Sequence, residues 1–237
     1  MLDKTREVLN HISNHKLFEL YDIRFVGGTA LSYYLNHRLS EDLDFGVHGD
    51  LPKEAIIQAM LSFGATFIKS SESIIDDAID QGANIDDSYL RFVLFTIKIE
   101  FFSVPFNVFD AEDIWENGST ILYNNSKVKI ASLDTVLYMK SLAFFNRKKY
   151  RDLYDIYFAI YKLDSYSVET FMQTYLKYHF TYTDETILEL VKSVNSFYLK
   201  SNDEGLDRLV EKHESYEFYR QKIEDKIQGY ILDKLYS

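Results

Sequence analysis

The chain has 237 residues, 46% of them apolar, 27% charged and 16% aromatic, with two prolines and no cysteine. That is enough chain for one large domain or two small ones with a buried core, and the missing cysteines exclude disulfides, a thiol nucleophile and a thiolate zinc site. A net charge of −11, from 26 basic and 37 acidic residues, argues against a protein that simply coats nucleic acid.

The first 20 residues carry charges throughout and no apolar h-region, so a signal peptide is not expected. They predict an opening helix over 3–20, with Val8, Leu9 and Ile12 on one face. A short strand is expected at 23–26, then Gly27-Gly28, then a helix grouping Ala30, Leu31, Tyr34 and Leu35. Leu43, Phe45 and Val47 alternate with Asp42, Asp44 and Gly46, the period of a strand. Pro52 suits the first turn of a helix whose stripe is Ala55, Ile56, Ala59, Met60 and Phe63. Residues 70–88 predict an acidic loop. Residues 91–104, rich in Phe, Val and Ile and free of Gly and Pro, predict one long central strand.

Composition changes near residue 130. Both prolines and seven of the nine glycines precede it. Residues 1–130 carry 11 basic and 20 acidic side chains, or −9, and residues 131–237 carry 15 and 17, or −2. From 131 onward the period is mostly helical, with Leu153, Ile156, Tyr157 and Ile160 as one stripe and three or four helices after it. The expected class is therefore α+β: a mixed sheet with flanking helices over 1–130, then a helical bundle over 131–237. No stretch approaches about 18 uninterrupted apolar residues, so no membrane span is expected and a cytoplasmic location is.

The informative stretch is FVGGTALSYYLNHRLSEDLDF, residues 25–45. Two glycines between strand and helix let a ligand approach the backbone, and a helix N-terminus offers N–H groups to a phosphate. Asp42 and Asp44, two apart on a strand, point to one face. Such a pair repels itself unless compensated, and a hard divalent cation with oxygen ligands is the natural partner. Against this stands a solvated edge strand, weakened as an explanation by Arg38 and Ser40, which add phosphate-binding groups. Glu100, between Ile99 and Phe101, is a third acid in a strand that should be buried, where it needs a partner or a metal; a solvated face shared with Lys98 is the alternative. Later, Asp152 and Asp155 share a helix face and Lys140 lies between Leu137 and Phe144. A helix-dipole role for Asp152 and a snorkelling role for Lys140 stay open.

GGTAL followed by HRLSEDLDF resembles the signature of the DNA-polymerase-β-like nucleotidyltransferase superfamily. With LDTVLYMKSLAFFNRKKYRDLYDIY, residues 133–157, the chain more narrowly resembles the AbiEii/AbiGii toxin family. The resemblance implies that Gly27, Gly28 and Thr29 hold nucleotide phosphates, with Arg38 and Ser40 beside the acids. It implies that Asp42, Asp44 and Glu100 bind Mg2+ or Mn2+. Lys140 would contact the phosphates, and Asp152 and Asp155 match the acids of an R-D-x-x-D helix. The implied activity is transfer of NMP from an NTP to an acceptor such as tRNA or another RNA, by a toxin with a cognate antitoxin. Transfer to an antibiotic-type small molecule, and a nucleotide- or antitoxin-binding module without turnover, are the alternatives.

Other constellations fall away. No G-x-G-x-x-G or P-loop sequence is present. His11 and His15 have i, i+4 spacing without H-E-x-x-H, so they predict a helix face rather than a metal site. Four basic residues in five, Arg147, Lys148, Lys149 and Arg151, predict a solvated turn that could touch a phosphate backbone. The tyrosines of 150–182 are expected in the bundle core rather than as a platform for bases.

Overall fold

A computed structural model describes residues 1–69, 88–104, 111–147, 150–178, 183–193 and 206–236. The expected acidic loop and the basic residues Lys148 and Lys149 lie outside them. The chain divides into two units, Met1–Val136 and Leu137–Ser237.

The first unit is built on a seven-stranded mixed sheet. Its strands are β1 (Ile23–Val26), β2 (Leu43–His48), β3 (Thr66–Ile68), β4 (Tyr89–Leu94), β5 (Ile97–Val104), β6 (Thr120–Leu122) and β7 (Lys129–Ala131). They lie in the order β3-β4-β5-β2-β1-β7-β6. β2 pairs parallel with β5 and antiparallel with β1, so two strands distant in sequence flank the one carrying Asp44. Side chains alternate between faces, and the register sorts them by chemistry. Phe25, Phe45, Phe101 and Leu90 lie opposite one another in one row. The next row is Val26, Asp44, Glu100 and Arg91. A slip of one residue would drive the acids into the core, so burial of the phenylalanines fixes the register.

The apolar row is a continuous aromatic stack. Phe45 lies 5.0 Å from Phe101, 5.6 Å from Phe25 and 5.2 Å from Phe18, centroid to centroid. All four rings are buried, each contributing roughly 1.5–3 kcal/mol relative to exposure. Helices α1 (Asp3–Ile12), α2 (Leu17–Leu20) and α4 (Lys53–Ser62) complete the core with Val8, Leu9, Ile12, Leu17, Ile56 and Met60.

The single opening helix expected over 3–20 is two. The Ser13 hydroxyl turns back to the Asn10 carbonyl at 3.1 Å, the Ser13 carbonyl accepts from the Lys127 N–H, and His15 Nδ1 accepts from the Leu17 N–H. Local side chains and a distant loop thus take over the bonds that helix propagation would use.

The long central strand is a hairpin, β4 and β5, turning at Phe95 and Thr96. Both have positive φ, 49° and 75°, as a two-residue turn matching strand twist requires. Asn-Gly is the usual sequence there, so the turn carries no signal in the sequence, and the pairing of twelve flanking residues imposes it. A β-branched Thr at positive φ is strained. Replacing Phe95-Thr96 by Asn-Gly should therefore stabilise the first unit by about 1 kcal/mol, seen as a higher melting temperature in calorimetry. No gain would mean that Phe95, packed 5.9 Å from His11, contributes more than the strain costs.

Strands β3, β6 and β7 and the helix α5 (Ala111–Glu116) have no counterpart among the expectations. Trp115 of α5 is buried. Its ring lies under the Arg24 guanidinium at 4.5 Å, and its carbonyl accepts from Arg24 Nη1. A side chain at Gly46 would approach that ring to 2.9 Å, so glycine is what lets α5 sit against β2.

The described residues of the second unit are mostly helical, with turns at 163–167 and 206–215. It contains most of α6 (Leu133–Arg147), then α7 (Tyr150–Lys162), α8 (Val168–Tyr178), α9 (Asp184–Ser193) and α10 (Tyr216–Tyr236). The expected stripe of α7 buries Leu153, Ile156 and Ile160, and α7 packs on α10, which buries Tyr219, Ile223 and Ile227. Tyr150, Tyr154 and Tyr157 pack on Tyr216 and Tyr219 with centroid distances from 4.8 to 6.2 Å. Of the tyrosines of 150–182, Tyr150, Tyr154, Tyr157 and Tyr161 pack in the bundle and Tyr166 is buried, as expected, and Tyr182 lies outside the described residues. No described helix is long and apolar enough to cross a membrane.

Candidate functional site

The site is assembled where β1 runs into α3 (Gly27–Leu35) and the chain returns into β2. Gly27 has φ +73°, and a Cβ there would stand 2.1 Å from Asp44 Oδ2. Both facts demand glycine, because any side chain would collide with the carboxylate it adjoins. A Cβ at Gly28 would stand 2.7 Å from Arg38 Nη2. Val26, at the N-cap of α3, makes no side-chain capping bond. A guanidinium and a helix N-terminus without a side-chain cap therefore meet at Gly28, two positive features side by side next to two aspartates.

The return loop is fixed from several directions. Asn36 ends α3 in the left-handed conformation, φ 47° and ψ 29°. The Leu2 N–H donates to the Ser40 carbonyl at 3.2 Å, and the Thr5 hydroxyl to the Glu41 carbonyl at 2.8 Å. The Thr29 hydroxyl donates to the Asp42 carbonyl and lies 2.7 Å from the Ser40 hydroxyl. Thr29 and Ser40 thus hold the backbone of Asp42 from inside, both buried. Thr29 and Ser40 act here as scaffold for the acid, which the sequence pattern does not distinguish from a phosphate ligand.

Asp42 and Asp44 are half-buried on the polar face of the sheet, with Glu100 in register beside Asp44. Glu100 faces a cationic set. Arg91 Nε lies 3.0 Å from its Oε1, the Tyr89 hydroxyl donates to the same oxygen, and Lys98 Nζ lies 3.6 Å from its Oε2. Burial works to raise the Glu100 pKa, but the Tyr89 hydrogen bond and the Lys98 and Arg91 charges outweigh it and leave it lowered. Lys98 also reaches Asp42 Oδ2 at 3.0 Å. Burial works against its charge, yet Glu100, Asp42 and Asp44 raise its pKa. Tyr89 and Arg91 are the residues that sequence reasoning missed, and Lys98 entered it only as a neighbour of Glu100 on a solvated face. Their signal was alternation in β4 and β5, hidden by reading the hairpin as one strand.

The lowered Glu100 pKa has a definite sign in stability. A depressed carboxylate contributes stability above its unfolded pKa and loses it as pH falls through the folded value. Glu100→Gln should therefore destabilise the protein at pH 7, with the difference from wild type shrinking below about pH 4. Urea unfolding at both pH values measures this, and a difference independent of pH would contradict the assignment.

Among the described residues no group of three or more His, Asp and Glu side chains is arranged to hold a metal ion. Asp42 and Asp44 suit a divalent cation as a pair. They are hard oxygen donors two residues apart, and Gly27 lets the Asp44 carboxylate lie against the start of α3. Glu100, turned to Arg91 and Tyr89, does not complete a triad with them here.

In the second unit, Lys140 Nζ lies 2.6 Å from Asp152 Oδ1 and 3.0 Å from Asp155 Oδ2. The structure thus brings these three expected site residues into one cluster, with side chains only 4%, 2% and 0% exposed. Lys140 neither snorkels nor reaches the surface.

The first unit thus sets a glycine turn beside Asp44 on a mixed sheet, and helices follow it in the chain. The sequence model of the AbiEii family (nucleotidyl transferase AbiEii toxin, type IV toxin–antitoxin system) matches residues 7–227. The chain belongs to that family. No curated protein matches the sequence. Among solved structures, a Helicobacter pylori protein assigned to the nucleotidyltransferases is 17% identical at TM-score 0.56, covering 99% of both chains. JHP933 from Helicobacter pylori is 17% identical at TM-score 0.53, covering 99% of this chain and 97% of its own. Both share the fold.

Proposed function

We propose that this toxin-family nucleotidyltransferase transfers NMP from a Mg2+-bound NTP to the hydroxyl of an RNA end, tRNA being the favoured acceptor, and that an antitoxin protein restrains it. The observation that supports this most directly is the meeting of Asp44 with the α3 N-terminus and Arg38 at Gly27-Gly28, with Asp42 two residues before Asp44. In this reading the α3 N–H groups and Arg38 bind the phosphates, and Asp42 and Asp44 hold the cation. Bound Mg2+ would neutralise charge developing on the phosphoryl oxygens and on the pyrophosphate. The acceptor oxygen forms its bond to the α-phosphorus as the bond to the bridging oxygen breaks, pyrophosphate leaves, and the hydroxyl proton passes to solvent. Glu100, held below the usual carboxylate range, is a poor base and serves to position Lys98 and Arg91. A phosphate at Lys140 would compete with two carboxylates, so we assign Lys140, Asp152 and Asp155 to fixing α6 against α7.

Incubating the purified protein with each labelled NTP, Mg2+ and total bacterial RNA tests the proposal. Label on tRNA or another RNA is the expected result. Label only on an added aminoglycoside-type compound would replace the acceptor class, and NTP binding without transfer to anything would overturn the reading.

A further inference from the structure

Lys98 reaches Asp42 of the aspartate pair, and nothing in the chemistry of transfer requires it there. It occupies β5, one alternation before Glu100, on the polar face. Its ammonium bridges Asp42 Oδ2 at 3.0 Å and Glu100 Oε2 at 3.6 Å, with the side chain 36% exposed. An exposed bridge is worth little to folding, but this one is placed where a divalent ion on Asp42 must either displace the ammonium or sit beside it. Two cations sharing one carboxylate repel, by an amount set by a separation of a few ångströms and partial screening. A polyphosphate carries about four negative charges and can satisfy both cations at once.

We propose that Lys98 is a resident counter-cation that keeps Asp42 neutralised when no nucleotide is bound, so that the divalent ion enters efficiently only together with a nucleoside triphosphate. This rests on the reading of Asp42 and Asp44 as the cation-holding pair. Coupling between metal and nucleotide is reciprocal, so it can be read from either ligand. Lys98 is a positioning residue in this scheme. The Glu100 carboxylate, anchored by Tyr89 and Arg91, gives the displaced ammonium a place to stay.

The test is Mn2+ titration followed by electron paramagnetic resonance, on the full chain, with and without a non-hydrolysable NTP analogue. Wild type should bind Mn2+ alone weakly and bind it much more tightly with the analogue. Lys98→Met, which keeps the stem and removes the charge, should tighten Mn2+ binding without nucleotide about tenfold and reduce the gain from nucleotide by a similar factor. Lys98→Arg, which keeps the charge, should stay near wild type, and far-UV circular dichroism shows whether each variant is folded. Lys98→Met binding Mn2+ no more tightly than wild type would overturn the proposal, as would equal tightening in Lys98→Arg. If Asp44→Asn binds Mn2+ as wild type does, the cation pair itself is wrong, a failure distinct from that of Lys98. A purely structural Lys98 would change folding without changing the ratio of the two Mn2+ affinities.

Discussion

Asp44→Asn should lower nucleotidyl transfer at least a thousand-fold while leaving the fold intact. Asparagine has nearly the same shape, so the Phe25, Phe45 and Phe101 row and the pairing of β2 with β1 and β5 stay as they are. What is lost is one negative charge beside Gly27, where a Cβ would touch the carboxylate. Removing a charged ligand from a cation that stabilises a phosphoryl-transfer transition state costs several kcal/mol, and a thousand-fold is about 4 kcal/mol. Label transfer over a Mg2+ titration measures the effect, with the melting temperature as control. Activity within tenfold of wild type at every Mg2+ concentration would show that the pair does not carry the chemistry. Asp42→Asn should be nearly as damaging to transfer, but it also releases Lys98, so its melting temperature is the more informative of the two.

The largest expected effect on stability is at Lys140. Its ammonium answers two carboxylates that are 2% and 0% exposed. Lys140→Met keeps the volume and removes the ammonium between the two acids, and breaking a buried ion pair from one side costs about 3–5 kcal/mol. For a unit of 101 residues, Leu137–Ser237, that corresponds to a melting temperature lower by more than about 10 °C. Lys140→Met combined with Asp152→Asn and Asp155→Asn should recover most of the loss, since the triple variant buries no uncompensated charge. Calorimetry on the three proteins decides. A stable Lys140→Met with impaired nucleotide binding would instead return Lys140 to the phosphate role implied by the family resemblance.

Much of the polar face was legible in residues 25–45. The glycine pair, Arg38 and the D-x-D pattern sit within about twenty residues, so local geometry alone puts the acids on one side of a strand and the glycines at a strand-to-helix turn. Lys140, Asp152 and Asp155 could be named as a group but their arrangement could not. Their spacing fits a surface dipole pair as well as a buried cluster, and only the packing of α6 on α7 chooses between them.

The alternation of apolar and acidic residues in β2, the helical period after residue 131 and the glycine turn are local facts, and the amino-acid order determined them without help. What Glu100 faces was decided by tertiary structure, because a carboxylate on a strand meets whatever the neighbouring strand presents. That neighbour, β4, exists only because Phe95 and Thr96 accept positive φ against their own preference, a cost the ladder between β4 and β5 offsets. The same folding sets Lys98 on Asp42 and Arg91 on Glu100. Pairing energy summed over many residues outweighs the preference of two, and no window of sequence short enough to show a turn contains that sum.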